Sequence, residues 1–91
     1  MMAKIVRLYT ENKNRDKIIQ IIDDFFGGAT FYEGLGLWMG DVEHTFVIEM
    51  TFPEIAPSIQ ANLDEVIRVI KDRNEQTSIM VVIQDCEVEF K

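Results

Sequence analysis

Two βαβ-like halves in a chain of 91 residues predict an α+β fold, a ferredoxin-like βαββαβ sandwich with two helices on one face of a four-stranded antiparallel sheet. Three observations carry that expectation. Apolar residues recur at helical spacing in two stretches. Four other stretches show strand character, and the middle two are joined by a short Gly-Asp link that reads as a hairpin. The length leaves room for one hydrophobic core, so residues 1–91 are expected to form a single domain.

The first strand is expected over residues 4–10. Val6, Leu8 and Thr10 share one face, and Ile5, Arg7 and Tyr9 the other. A polar turn, Glu11 to Asn14, follows, with Asn14 placed to cap a helix over residues 15–26. In that helix Ile18, Ile21, Ile22 and Phe25 make the buried stripe, widened by Ile19 and Phe26. Gly27-Gly28 ends it, since glycine takes the left-handed conformation common at helix ends.

The second strand is expected over residues 29–39. Gly34 and Gly36 interrupt it, which marks either a bulge or a close backbone approach. The third, over residues 43–52, alternates: His44, Phe46, Ile48, Met50 and Phe52 against Glu43, Thr45, Val47, Glu49 and Thr51. Pro53 and Pro57 bracket an irregular link. The second helix is firm over residues 62–74, with Asn62 and Glu65 at capping-box spacing and Leu63, Val66, Ile67 and Ile70 as its stripe. An earlier start near Pro57 would add Ile59 to that stripe. The last strand, residues 78–84, is apolar almost throughout and reads as a central strand covered on both faces. The alternating tail from Cys86 to Phe90 suggests a short fifth strand.

Sixteen acidic residues against nine basic ones give a net charge of −7. Such a chain is repelled by a phosphate backbone, which argues against direct nucleic-acid binding. The charge reads either as a solubilising exterior or as a surface suited to a basic protein partner. The longest apolar run, Ile79 to Ile83, is too short to span a bilayer. Lys4 and Arg7 break any signal-peptide core, so a cytoplasmic protein without a membrane partner is expected. Cys86 is the only cysteine, which agrees with a reducing compartment.

Both faces of the first and last strands carry apolar residues, while one layer of helices covers only one face. The open face is therefore expected to find a second copy, making a homo-oligomer, a dimer or larger, through the sheet.

No catalytic or metal-binding signature is present, and no cofactor is expected. His44 is the only histidine and is expected to be a hydrogen-bonded structural residue. Cys86 has no basic neighbour in sequence and reads as packing. Phe52 and Phe90 are the phenylalanines expected at an edge or interface. The segment from Gly34 to Glu43 is the most unusual. Glycines at alternate positions clear one face of a strand, leaving space for a ring, a backbone or a ligand flanked by Trp38. Alternatively, Trp38 packs over those glycines in a bent hairpin. Tyr9, Glu33 and Glu43 lie on strands that can bring them together, either as a functional group or as solvated edge residues.

The stretch from Phe31 to Glu43, with Gln76 to Val82, resembles a group of short uncharacterised bacterial and phage proteins. These share a G-x-G-x-W-x-G-x-x-E hairpin and a Q-x-S/A-V/I strand start on a ferredoxin-like frame. The matching residues are Gly34, Gly36, Trp38, Gly40, Glu43 and Gln76. The resemblance covers nearly the whole chain and implies the fold, but no activity. Two functional expectations remain. One is a small acidic interaction protein without enzymatic activity, such as a phage-type inhibitor of a host defence or nucleic-acid-processing protein. The other is a small-molecule or nucleotide binder, or a minor enzyme, with a ligand held by Tyr9, Glu33, Gly34, Gly36, Trp38, Gly40, Glu43 and Gln76.

Overall fold

The computed structural model describes residues 1–91 and has the element order β1 (Met2–Glu11), α1 (Arg15–Phe26), β2 (Thr30–Trp38), β3 (Asp41–Phe52), α2 (Pro57–Asn74) and β4 (Met80–Glu87). The four strands form one sheet in the order β2-β3-β1-β4, with every neighbouring pair antiparallel. Each βαβ half is split, since β3 lies between β1 and β2, and β1 between β3 and β4. This is the ferredoxin-like α+β arrangement that the two halves predict.

The alternation along β1 sets the two faces. Val6, Leu8 and Thr10 are buried beneath the helices, with Phe46, Ile48 and Met50 beside them from β3. Ile18 and Ile22 of α1 and Leu63, Val66 and Ile70 of α2 close the core from above. Each such side chain contributes about 1.5–3 kcal/mol by leaving water. Thr10 is buried without penalty because its hydroxyl donates to the Phe46 carbonyl at 3.1 Å.

The ends of several elements depart from the sequence expectation. Asn14 does not cap α1 with its side chain. It sits at φ 54°, and its side-chain amide donates instead to the Arg73 carbonyl and Asn74 Oδ1, both at 3.1 Å. The side chain is drawn to the end of α2, where buried acceptors need a donor. α2 starts at Pro57, five residues before the Asn62–Glu65 pair, because proline in the first turn lacks only an N–H that would be unpaired anyway. Asn62 is thus interior, Ile59 joins the core stripe, and Glu65 pairs with Arg68.

β4 is an edge strand, not a central one. Its helix-side residues are only partly covered, and Ile83 stays 50% exposed. Its run of apolar residues reflects partial burial on both faces at the sheet margin. No separate fifth strand forms: β4 continues through Cys86 to Glu87. Beyond it, Val88 and Met1 exchange backbone hydrogen bonds at 2.8 and 3.1 Å. Phe90 is exposed, whereas Phe52 is half-buried against the core with its ring 5.6 Å from that of Phe26.

Candidate functional site

β2 and β3 outrun β1. β1 ends at Glu11 opposite Thr45, while residues Leu35 to Trp38 go on pairing with Asp41 to His44. The result is a two-stranded arm projecting past the sheet. Met39 and Gly40 turn it with φ of 49° and 87°, the paired positive values of a type I′ hairpin. The register is regular through both glycines, so they mark no bulge. Gly36 instead marks a close approach: a Cβ there would meet Thr45 Oγ1 at 3.0 Å. Gly34 faces open space.

Alternation places Gly34, Gly36 and Trp38 on the sheet face away from the helices, with Thr45, Glu43 and Tyr9. Trp38 does not fold back over the glycines; it is 69% exposed. A cleft of about 440 Å³ lies between the arm and the link from α2 to β4. Gly36, Trp38, Glu43 and Thr45 stand on the arm side, Tyr9 and Glu11 at the end of β1, and Glu75 to Ser78 with Met80 across from them.

Five residues singled out in the sequence therefore line one cleft: Tyr9, Gly36, Trp38, Glu43 and Gln76. Three others do not. Glu33 points to the helix side, where it pairs with Arg15, whose guanidinium also lies 5.7 Å from the Phe46 ring centre. Gly34 lies short of the cleft and Gly40 beyond it at the tip. His44 is exposed on the arm with no side-chain hydrogen bond; only its carbonyl is used, accepting from the Asn12 N–H at 3.1 Å. It borders a shallow hollow with Glu11, Asn12, Lys13 and Glu43.

The far wall rests on Asn74, which sequence reasoning missed. It is the buried last residue of α2. Its Nδ2 donates to Gln76 Oε1 at 3.3 Å and to the Glu11 carbonyl at 3.5 Å. Gln76 Oε1 also accepts from the Glu11 N–H at 3.3 Å, and its Nε2 donates to the Ser78 carbonyl at 2.9 Å. Gln76 thus ties the link to β1 and holds the cleft open. Glu75, between them, has φ 53°, a left-handed conformation that a helix end usually gives to glycine and a mark of local strain. An asparagine at a helix end carries no signal of such a role.

The lining holds Glu11, Glu43 and Glu75 and neither lysine nor arginine. Lys13 pairs with the lining residue Glu11, its Nζ 2.7 Å from Glu11 Oε2, and donates to the Asn74 carbonyl at 3.2 Å. The Glu11 hydrogen bond, helped by the charges of Glu11 and Glu75, raises the Lys13 pKa above the usual lysine value. A second hollow, at the start of α1, is lined only by the polar residues Asn14 to Lys17. No three His, Cys, Asp or Glu side chains are grouped to hold a metal ion. No helix is long and apolar enough to cross a membrane.

No family model matches the chain, and no curated protein matches it. Solved structures do. A DUF3240 family protein from Shewanella baltica superposes with a TM-score of 0.73 at 14% identity, covering 98% of this chain and 94% of that one. CPII, a nitrogen regulatory PII-like protein from Thiomonas intermedia bound to ADP, AMP and bicarbonate, gives 0.65 at 14%, covering 100% and 97%. A phage SAM lyase in complex with S-methyl-5'-thioadenosine gives 0.68 at 15%, covering 91% and 81%. At these identities the likeness establishes a shared fold, and the chain is similar in architecture to small proteins of this ferredoxin-like type.

Proposed function

We propose that the protein is a small, non-enzymatic binding protein whose cleft takes a planar small molecule, neutral or cationic, with an adenosine-type ring as the leading candidate. The exposed Trp38 ring beside the bare backbone of Gly36 carries this reading. A flat ring laid there stacks on the indole, with Thr45 the side chain that borders the Gly36 backbone; such stacking contributes about 1–3 kcal/mol. Thr77 and Ser78 offer polar groups at the opposite wall. The charge of the lining sets the ligand class. With Glu11 paired to Lys13, the carboxylates of Glu43 and Glu75 leave the lining negative, which repels a phosphate and favours an uncharged or positive substituent. The ring class is supported by the ligands named for two structural neighbours, since ADP, AMP and S-methyl-5'-thioadenosine share an adenosine unit.

Trp38 is the only tryptophan, so its fluorescence reports the cleft directly. Titration with adenosine and S-methyl-5'-thioadenosine is expected to change that emission and raise the melting temperature. At a hundredfold excess over Kd the stabilisation is about 2.7 kcal/mol. ADP is expected to bind more weakly. Silence with all three in both measurements would remove the reading.

A protein partner is the second reading, favoured by the outer side of the arm. Leu35, Leu37 and Val42 lie there exposed, on the side the helices no longer reach, with Met39 at the tip. Such a patch fits a partner's apolar groove. In this form the protein acts as an inhibitor or adaptor, within an assembly of identical chains. Pull-down from a host lysate should then recover a partner that a Leu35→Ser/Leu37→Ser variant loses; no partner at any salt concentration would count against it.

A further inference from the structure

The sheet face opposite the helices has no covering layer, and its residues form rows across all four strands. One row is apolar and aromatic: Tyr32, Val47, Tyr9 and Met80. The next places Glu49 and Arg7 side by side at the centre, with Val82 beyond them. Arg7 Nε donates to Glu49 Oε1 at 2.7 Å, and its Nη1 donates to Gln84 Oε1 at 3.0 Å. Tyr32 donates to the same Glu49 oxygen at 3.5 Å. One polar chain thus crosses from β2 to β4, with apolar residues on either side.

We propose that this face is an isologous interface in which a second copy of the chain lays its Glu49 over Arg7 and its Arg7 over Glu49. Charge decides the occupant. The face is balanced at its centre, one guanidinium beside one carboxylate, so it offers nothing particular to a basic protein or to an anionic membrane. A two-fold axis between Arg7 and Glu49 makes that same pair complementary to itself. The ion pair is already largely dry, with side-chain exposures of 24% and 29%, and the second copy adds a second partner to each charge.

Sheets facing each other pack about 10 Å apart, a gap that arginine and glutamate side chains span.

The test uses the full chain and light scattering at tens of micromolar, with circular dichroism to verify folding. The natural sequence is expected to run as a dimer. Arg7→Glu puts two carboxylates at the centre and Glu49→Arg two guanidinium groups, and each should weaken association at least about tenfold and run as a monomer. Mixing the two variants in equal amounts should restore the dimer mass, because each then meets its opposite. A purely intramolecular role for the pair gives no rescue on mixing. A monomeric natural chain, variants that keep the dimer mass, or folded variants that stay monomeric when mixed would each overturn the proposal. If either variant fails to fold, Val82→Glu, which leaves the pair intact, takes its place. A folded monomer supports the interface, and an unchanged dimer overturns it.

Discussion

At the scale of single residues, Asn74 and Trp38 make opposite contributions. Asn74 is buried and fully engaged, joining the start of α1, the end of β1 and the cleft wall. Asn74→Leu strands several partners away from water, each costing about 1–3 kcal/mol, and urea unfolding should show a loss of at least that size. Trp38→Ala should change stability by less than about 0.5 kcal/mol, since the ring rests on little, while abolishing any ligand signal read by thermal shift. Glu65 supplies a pH-dependent term. The hydrogen bond from Arg68 holds its carboxyl below the ordinary glutamate value. That contribution is complete above the unfolded pKa and disappears as pH falls through the folded one. Arg68→Ala should therefore flatten the acid limb of a stability–pH curve. That Gly36 and Trp38 share a face was legible from strand alternation, and the structure brings Tyr9, Glu43 and Gln76 into the same cleft. Glu33 was legible as an outsider too, since it alternates with Gly34 and Gly36, but the idea of paired carboxylates obscured that parity. Asn74 had no legible signal, because its role depends on a helix end and a strand end meeting from distant parts of the chain.

Among the elements, the arm shows how local chemistry and global need diverge. A type I′ turn favours Asn-Gly, and here its first position is methionine at φ 49°. Met39→Asn should stabilise the protein by about 1 kcal/mol, measured as a higher urea midpoint at unchanged slope. An exposed methionine kept at a strained position is costly for folding alone, which agrees with a tip that meets a partner or ligand. The span and stop of α1 were legible, with Gly27 at φ 73°, but the stripe is narrower than expected: Ile18 and Ile22 are buried with Ile21 and Phe26 beside them, while Ile19 and Phe25 are exposed. α2 was legible in its body, while its start stood open between Pro57 and the Asn62–Glu65 pair, and the earlier of the two is the one that forms. β4 was misplaced in the sheet because an apolar run reports burial on two faces and says nothing about which edges are paired.

On the scale of the whole molecule, topology followed from the order of elements, while the cleft did not. The sandwich needs only the count and sequence of helices and strands. The cleft needs the arm to outrun β1, a consequence of register that no periodicity encodes. The acidic surplus also takes a clearer place: Asp16, Asp23, Asp24, Asp64 and Asp72 are exposed on the helices, away from the balanced open face. Salt above about 0.5 M should therefore leave a sheet-mediated dimer intact or strengthen it by screening net repulsion, as sedimentation at several salt concentrations would show.

The place of β1 in the middle of the sheet governs when the protein can become itself. Arg7 waits 42 residues for Glu49 and 77 for Gln84, so a growing chain carries β1 with one edge unpaired until β4 follows. Such distant pairing makes folding a matter of milliseconds to seconds rather than microseconds. Until β4 has been made, the β1 edge that β3 does not cover is open to strand addition, and β4 is the strand that shields it.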